Sequence, residues 1–360
     1  MSGEGPASAD DERRALEDLL RRLGATDAEL ADAFSSRTGS PSDFALELLL
    51  RAGRRPLTAD EAAAAAGLTR EEFTQVWQAL GFLQGADDEA RIPAALIDAL
   101  PVVALATREW LGDAAARGLA RVIGSTTAQL AEAVVDAFRI GFEVPQLSAG
   151  TSYSTVVEQY VELTRASLPA LEALVCATLE AHLVRVAAGV WSPDEEQVAA
   201  RRDLTVGFAD LVGYTALSRT MSPGELATLL ADFEDAVGDS VAAHRGRLVK
   251  LIGDGVMFVA DSAELGCAAA LDICERVTAA ELPPVRVGLD HGPVLSRSGD
   301  YFGEVVNLAA RLVALARPGT VVVSEAVAAA AGAGFTLERL PEQALKGFQA
   351  PAVSYRLVGR

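Results

Sequence analysis

Lysine and asparagine are almost absent from this sequence of 360 residues. Lys250 and Lys346 are its two lysines, so arginine occupies 29 of the 31 Lys and Arg positions, and Asn307 is its one asparagine. Because arginine serves nearly every other cationic position, a retained lysine indicates a place where a compact ammonium group is needed. Asparagine is also a poor helix former, which makes Asn307 a further candidate for a specific task.

Three other shortages exclude classes of protein. Cys176, Cys267 and Cys274 lie in apolar helical contexts without metal-binding spacing, which predicts buried free thiols in a reducing cytoplasm. The net charge of −19 argues against nucleic acid or an anionic membrane as the main partner. The chain begins with a polar, acidic segment and has no uncharged apolar run of about 18 residues. These features predict a soluble cytoplasmic protein without a transmembrane segment.

The two halves of the sequence differ in pattern. Residues 1–190 have helical periodicity throughout and are rich in alanine and leucine. Composition changes over 191–202, and from 203 to 360 short apolar strands alternate with amphipathic helices. We therefore predict an all-α domain, a linker and a domain with helices packed on a mixed β-sheet.

Two short helices in the first half have clear capping sequences. Thr58 and Glu61 form one predicted capping box, and Thr69 and Glu72 form a second. Such a pair is compatible with a DNA-binding helix–turn–helix or with ordinary helix packing. Four acidic residues and a single basic one, Arg70, lie between positions 56 and 82, which is the opposite of what a helix facing phosphates needs. Ordinary packing is therefore favoured.

Two aspartates in the second half follow predicted strands. Asp210 ends the strand "TVGFA", and Asp254 follows "KLI", where Asp254-Gly255 between apolar runs predicts a tight hairpin. Carboxylates at the ends of neighbouring strands can converge on a hard cation such as Mg²⁺. A turn position explains either aspartate equally well, so metal binding and a structural turn both stay open on this observation.

Two helices of the second half have marked boundaries or unusual polar residues. Ser222 is the predicted N-cap of the first, which Gly246 is expected to end. The second is predicted over 304–316 and carries Asn307, with Arg311 one turn later on the same face. A local polar contact and a surface arginine are the simpler explanations of these two residues.

Together, "FADLVGYT", "KLIGDGVMF", "RVGLDHGPV", "DYFGEVVNLAAR" and "LKGF" resemble the ordered motifs of the class III nucleotidyl cyclase catalytic domain. The resemblance implies an α+β fold with a ferredoxin-like βααββαβ core. It also implies that Asp210 and Asp254 bind metal, that Asn307 and Arg311 act on the transition state, and that Lys346 binds the triphosphate.

The same resemblance implies that Lys250 and Asp300 recognise adenine. Lysine can donate to a ring nitrogen, and aspartate accepts from the exocyclic amine. Guanine presents a carbonyl there, so Asp300 would face an acceptor and lose its hydrogen bond. The implied reaction is conversion of ATP to 3′,5′-cyclic AMP and pyrophosphate with two Mg²⁺ or Mn²⁺ ions. No protein general base stands out.

In this family each active site is shared across a dimer interface. The resemblance implies that Asp210 and Asp254 come from one protomer and the five other residues from its partner, so that one chain type forms a homodimer with two equivalent sites. A short arm departs from many relatives, because only "LSRS" and a glycine separate Val294 from Asp300. A short arm of this kind resembles that of the compact bacterial subgroup. The details of the dimer interface are therefore expected to differ from those of relatives with a longer arm.

The first half is similar to the helical regulatory domain that precedes such catalytic domains in actinobacterial relatives. Its input stays open between a small molecule and pH, for which His182, His244 and His291 are the titratable candidates near neutrality. Two alternatives to the enzyme are a catalytically silent, nucleotide-responsive interaction module and a helix–turn–helix transcription regulator.

Overall fold

The computed structural model describes residues 9–35, 41–51, 55–82, 92–93, 96, 98–190, 201–297, 299–345 and 351–360. The chain divides into two compact units, Met1–Gly189 and Val190–Arg360. Residues 191–200 of the predicted linker lie outside the described part. The first strand begins at Arg201, before the predicted start of the second domain at Asp203.

The first unit is helical, as predicted. Its helices are α1 (Ala9–Arg22), α2 (Asp27–Ser35), α3 (Pro41–Arg51), α4 (Ala59–Ala66), α5 (Arg70–Ala79), α6 (Leu100–Ala106), α7 (Asp113–Phe138), α8 (Val144–Ser148) and α9 (Tyr153–Val190). Both predicted capping boxes, at the starts of α4 and α5, are present. Leu20, Leu48 and Val157 belong to one apolar core that joins α1, α3 and α9. Phe73 of α5 lies in a second core with the alanines of α4.

Two long helices of this unit leave apolar side chains exposed. Leu119, Ile123 and Leu130 of α7 are exposed, and so are Leu179 and Leu183 of α9. The described helices do not include one with the length and apolar character needed to span a membrane. The apolar surface of α7 and α9 is therefore unexplained by packing within the unit.

The cysteine prediction is wrong at one position. Cys267 is buried and Cys274 is half-buried, whereas Cys176 is exposed. Cys176 lies on the C-terminal part of α9, where residues 172–187 are all exposed. An apolar helical context predicted burial, but no other described element of the chain covers this part of the helix.

The second unit alternates strands and helices around one sheet. Its elements are β1 (Arg201–Leu211), α10 (Tyr214–Leu217), α11 (Pro223–Ala243), β2 (Arg247–Ile252), β3 (Gly255–Ala260), α12 (Ala263–Ala279), β4 (Val285–Arg297), β5 (Asp300–Phe302), α13 (Glu304–Val313), β6 (Thr320–Ser324), α14 (Glu325–Ala330), β7 (Thr336–Arg339) and β8 (Ser354–Gly359). The strand order is β2-β3-β1-β4-β6-β8-β7, with β5 paired to β4. Only the β4–β6 pair is parallel among the described pairs, so the sheet is mixed, as predicted.

Apolar cores lie on both faces of this sheet. Helices α11, α12 and α14 cover one face, where Phe233, Phe258 and Ile273 are fully buried. Helix α13 covers the other, where Met257 and Val305 are packed together. We call this second face the α13 face. It carries the candidate residues described below.

Helix α11 begins as predicted but ends differently. Ser222 is its N-cap, with a complete capping box. Its C-cap is His244, and Arg245 adopts the left-handed conformation expected of Gly246, with φ of 56°. Gly246 is instead required for close packing, because a Cβ there would lie 2.9 Å from Cγ1 of Val241. The prediction that Gly246 caps this helix is therefore wrong, and the need for glycine at this position is steric.

Gly288 of β4 sets the distance between α13 and the sheet. A Cβ at Gly288 would lie 2.5 Å from the backbone nitrogen of Val313 and 2.6 Å from the carbonyl oxygen of Ala309. We expect Gly288→Ala to lower the free energy of unfolding by about 2–3 kcal/mol, because backbone atoms cannot yield as a side chain does. Chemical denaturation of the full chain measures this change.

Gly238 provides the matched control. It lies within α11, and a Cβ there would have no atom within 4 Å. Gly238→Ala is expected to leave stability unchanged or to raise it by up to about 1 kcal/mol, as alanine is the better helix former. Equal losses at both glycines would contradict the close approach of α13.

Candidate active site

The two strand-end aspartates lie next to each other. Asp210, near the end of β1, is directly opposite Gly255 of β3. Asp254 lies in the turn between β2 and β3, and its carbonyl oxygen accepts a hydrogen bond from the backbone nitrogen of Leu211 at 3.2 Å. The predicted hairpin exists, but its turn is Gly253-Asp254, with Gly253 at φ of 62°, and Gly255 is already the first residue of β3. This turn therefore presents Asp254 beside Asp210.

The charge around these carboxylates is suited to a cation. Burial raises the pKa of Asp210, the negative charge of Asp254 raises it further, and the guanidinium of Arg286 counteracts both. A bound cation would remove the repulsion between the two carboxylates. No three His, Cys, Asp or Glu side chains are grouped as metal ligands in the described parts of the chain. A metal held by two carboxylates, with phosphate oxygens and water as its other ligands, suits Mg²⁺ or Mn²⁺.

Arg286 is a candidate functional residue that the sequence did not reveal. It lies on β4 directly opposite Asp210 of β1. Its Nε atom is buried and has no hydrogen-bond partner among the described residues. Only the strand register shows that Arg286 shares the α13 face with Asp210, so strand alternation in "RVGLDHGPV" was not enough to find it.

Lys250 and Asp300 form an ion pair on the same face. The Nζ atom of Lys250 lies 2.5 Å from Oδ2 of Asp300, and Oδ1 of Asp300 accepts from the backbone nitrogen of Tyr301 at 2.8 Å. The short arm makes this possible, because β4 continues to Arg297 and returns directly as β5. Both side chains retain solvent exposure, 42% for Lys250 and 29% for Asp300, so a ligand can reach the pair.

A β-bulge directs Lys250 to this face. Leu248 is opposite Phe258, but Lys250 is opposite Met257, so Val249 is an extra residue in β2. Phe258 belongs to the core under α11 and α12, and Met257 to the core under α13. Without the extra residue, Lys250 would share the face of Phe258, because side chains alternate along a strand.

Asn307 and Arg311 project from the outer side of α13. Ala309 and Leu312 of this helix are fully buried, whereas Asn307 and Arg311 are exposed. They lie on the helix that covers the α13 face, and both are open to solvent. The described contacts thus join the candidates in two pairs and leave Asn307 and Arg311 free for a ligand or a partner. Lys346 lies outside the described residues.

Comparison with known proteins agrees with this architecture. The model of the adenylate and guanylate cyclase catalytic domain matches residues 197–359. An adenylate cyclase of Streptomyces coelicolor is 36% identical over 306 residues, which cover 85% of this chain and 79% of that protein. An uncharacterised protein of Mycobacterium tuberculosis is 36% identical over 353 residues, 96% of this chain and 90% of its own length.

The chain belongs to the adenylate and guanylate cyclase family. The similarity to the two relatives extends well beyond the catalytic domain, into the helical unit. Among solved structures, the adenylyl cyclase CyaB from P. aeruginosa is similar over 44% of this chain and 95% of its own, with 24% identity and a TM-score of 0.40.

The histidines of this cyclase lie outside the candidate site. The Nδ1 atom of His291 is 3.0 Å from Oγ1 of Thr205, and Nε2 of His244 lies 3.6 Å from Oδ2 of Asp272. Thr205 points away from Asp210, toward the face covered by α12, and His182 is exposed on α9. Each histidine thus has a structural contact or a surface position, and a role as pH input stays a prediction.

Proposed function

We propose that this protein is an adenylate cyclase that converts ATP to 3′,5′-cyclic AMP and pyrophosphate. The observation that carries the proposal is the exposed Lys250–Asp300 pair on the same face as the Asp210–Asp254 pair. An ammonium and a carboxylate side by side match the ring nitrogen and amine of adenine. The family supports a nucleotide cyclase reaction, and the similarity to the adenylate cyclase of Streptomyces coelicolor supports ATP as the substrate.

Asp210 and Asp254 would hold two Mg²⁺ or Mn²⁺ ions. Bound there, the ions would act as Lewis acids on the 3′-hydroxyl and the phosphates. Arg286, with its unpaired Nε beside the carboxylates, would donate to a phosphate oxygen. Asn307 would orient the ribose, Arg311 would stabilise negative charge at the α-phosphate, and Lys346 would bind the triphosphate.

We further propose that each site is completed by a second copy of the chain. Asn307 and Arg311 are solvent-exposed within one chain, which supports a partner surface opposite them. Three large apolar side chains near the Lys250–Asp300 pair, Ile252, Leu295 and Phe302, are 44–48% exposed. Such exposure is typical of an interface. A symmetric homodimer has two equivalent sites, and the helical unit before it would regulate their activity.

The direct test is product formation by the purified full chain. With ATP and Mn²⁺ or Mg²⁺, we expect equimolar cyclic AMP and pyrophosphate, separated by ion-exchange chromatography. Asp254→Ala is expected to reduce the rate by about 10³ or more, because the metal site loses half of its carboxylates. ATP binding without cyclic AMP would favour the silent module. A DNA mobility shift without cyclic AMP would favour the transcription regulator.

A further inference from the structure

Strand β5 contacts a strand with which it does not pair. In the described part of the chain, Asp300–Phe302 pair with the end of β4 and with no other strand. Strand β2 is three positions from β4 in the order β2-β3-β1-β4, which is about 14 Å at about 4.8 Å per strand. Side chains of β5 nevertheless reach β2, and Tyr301 belongs to the same core as Met257 of β3. The arm formed by the end of β4 and by β5 therefore bends over the α13 face.

Two side-chain bridges join this arm to β2. The first is the ion pair between Lys250 and Asp300. In the second, Nη2 of Arg247 donates a hydrogen bond to the hydroxyl oxygen of Tyr301. Cζ of Arg247 also lies 5.3 Å from the centroid of the tyrosine ring, within range of a cation–π interaction. Both bridges thus join neighbouring residues of β5 to residues of a single strand.

The β-bulge in β2 places both bridges on one face of the sheet. Arg247 is opposite Val259 and Lys250 is opposite Met257, and both partners belong to the core under α13. In a regular strand, residues three positions apart point to opposite faces. The extra residue Val249 changes this relation, so that the guanidinium and the ammonium both point toward the arm.

The two bridges are coupled through the backbone of the arm. Oδ2 of Asp300 accepts from Lys250, and Oδ1 accepts from the backbone nitrogen of Tyr301 at 2.8 Å. The N–H group that orients the carboxylate of Asp300 therefore belongs to the residue that Arg247 holds. A displacement of Tyr301 would move this carboxylate relative to Lys250.

A bound base affects the two bridges unequally. Adenine that accepts from Lys250 and donates to Asp300 competes with the ion pair between them. It does not compete for Tyr301, which is 6% exposed and lies in the core. With the base bound, the contact of Arg247 with Tyr301 is the bridge between β5 and β2, among those described, that stays intact.

We infer that Arg247 and Tyr301 are a positioning pair for base recognition. They hold the arm over the sheet so that Asp300 accepts from the amine of the base while Lys250 donates to its ring. Neither residue contacts the reacting atoms, and their effect is exerted through Asp300. The inference rests on the proposed function for the identity of the base, and its test therefore measures binding as well as turnover.

Tyr301→Phe in the full chain tests the hydroxyl contact while keeping the buried ring. We expect KM for ATP to rise by about 5- to 10-fold with kcat within about twofold of wild type, because base binding is weakened and the chemical step is not. The ratio of kcat/KM for ATP to that for GTP is expected to fall by about 5-fold or more. Damage to folding alone lowers both values together, and an unchanged ratio overturns the inference.

Tyr355→Phe is the matched control. Tyr355 lies on β8 and packs against the core on the opposite face of the sheet. Its loss of a hydroxyl group is expected to leave the ATP to GTP ratio within about twofold of wild type. Equal falls of the ratio in Tyr301→Phe and Tyr355→Phe would contradict a specific role of the pair.

Substitutions of Arg247 test the other half of the pair. Arg247→Met removes the donor and the charge, and is expected to lower the ATP to GTP ratio as much as Tyr301→Phe does. Arg247→Lys keeps a cationic donor and is expected to restore the ratio to within about threefold of wild type. A ratio in Arg247→Lys no higher than that in Arg247→Met overturns the inference.

The double variant Arg247→Met/Tyr301→Phe tests whether the two residues act together. If they form one bridge, the second substitution has little left to remove, and the ratio is expected to stay within about twofold of the lower single variant. Losses that multiply in the double variant would show that the two side chains act independently, which contradicts the pair.

Binding separates this inference from the proposed function. Displacement of a fluorescent ATP analogue by 3′-deoxy-ATP and by 3′-deoxy-GTP, which lack the reacting hydroxyl, gives an affinity ratio without turnover. A lower ratio in Tyr301→Phe than in wild type, in a protein that forms no cyclic AMP, contradicts only the proposed function. Cyclic AMP formation by the wild type, with equal affinity ratios in wild type and Tyr301→Phe, contradicts only this inference.

Discussion

An equal mixture of Asp210→Ala and Arg311→Ala chains is expected to recover about a quarter of the wild-type specific activity. The specific activity of each variant alone is expected to fall by about 10³-fold or more. Asp210→Ala removes a metal ligand, and Arg311→Ala removes the positive charge at the α-phosphate. Random exchange makes about half of the dimers mixed, and each mixed dimer has one intact site and one with both lesions. The measurement is cyclic AMP formation after co-refolding or co-expression.

A second mixture controls for nonspecific recovery. Asp210→Ala and Asp254→Ala both affect the metal-binding side, so every site in their mixed dimer carries a lesion, and no recovery is expected. Mixed dimers are confirmed with two affinity tags in both experiments. Recovery in neither mixture, with mixed dimers present, would contradict a site shared between protomers. Equal recovery in both would contradict the proposed division of residues.

The sequence predicted the elements and most of the candidate site. Short-range rules were sufficient for features such as the capping boxes of α4 and α5, because those interactions join residues three positions apart. The ends of helices and strands were predicted less accurately than the elements themselves. The helix predicted over 304–316 ends at Val313, since the chain tightens into hydrogen bonds to the third residue back before Pro318.

Features that depend on strand register could not be predicted. The extra residue Val249 in β2 decides which face of the sheet Lys250 occupies. In the sequence, Lys250 has an apolar residue on each side, and this pattern gives no sign of a bulge. Arg286 was missed for a related reason, because its position opposite Asp210 arises from pairing between distant strands. Both are long-range properties of the folded sheet.

Replacing the Lys250–Asp300 pair is expected to remove the preference for ATP. In Lys250→Glu/Asp300→Cys, the adenine amine loses its acceptor and the ring nitrogen faces a carboxylate. Two unsatisfied or repelling contacts at about 1–3 kcal/mol each predict a loss of about 30-fold or more in kcat/KM for ATP. Glutamate instead accepts from the ring N–H and amine of guanine, so kcat/KM for GTP is expected to rise relative to ATP.

The ratio of the two kcat/KM values separates base recognition from general damage. Arg356→Ala/Glu338→Ala removes another exposed ion pair, between β8 and β7, and is expected to leave the ratio unchanged. Loss of the bulge geometry or of the fold would lower kcat/KM for ATP and for GTP together. Loss of base recognition lowers kcat/KM for ATP selectively. An unchanged ratio in Lys250→Glu/Asp300→Cys would therefore show that this pair, although correctly placed on the α13 face, does not contact the base.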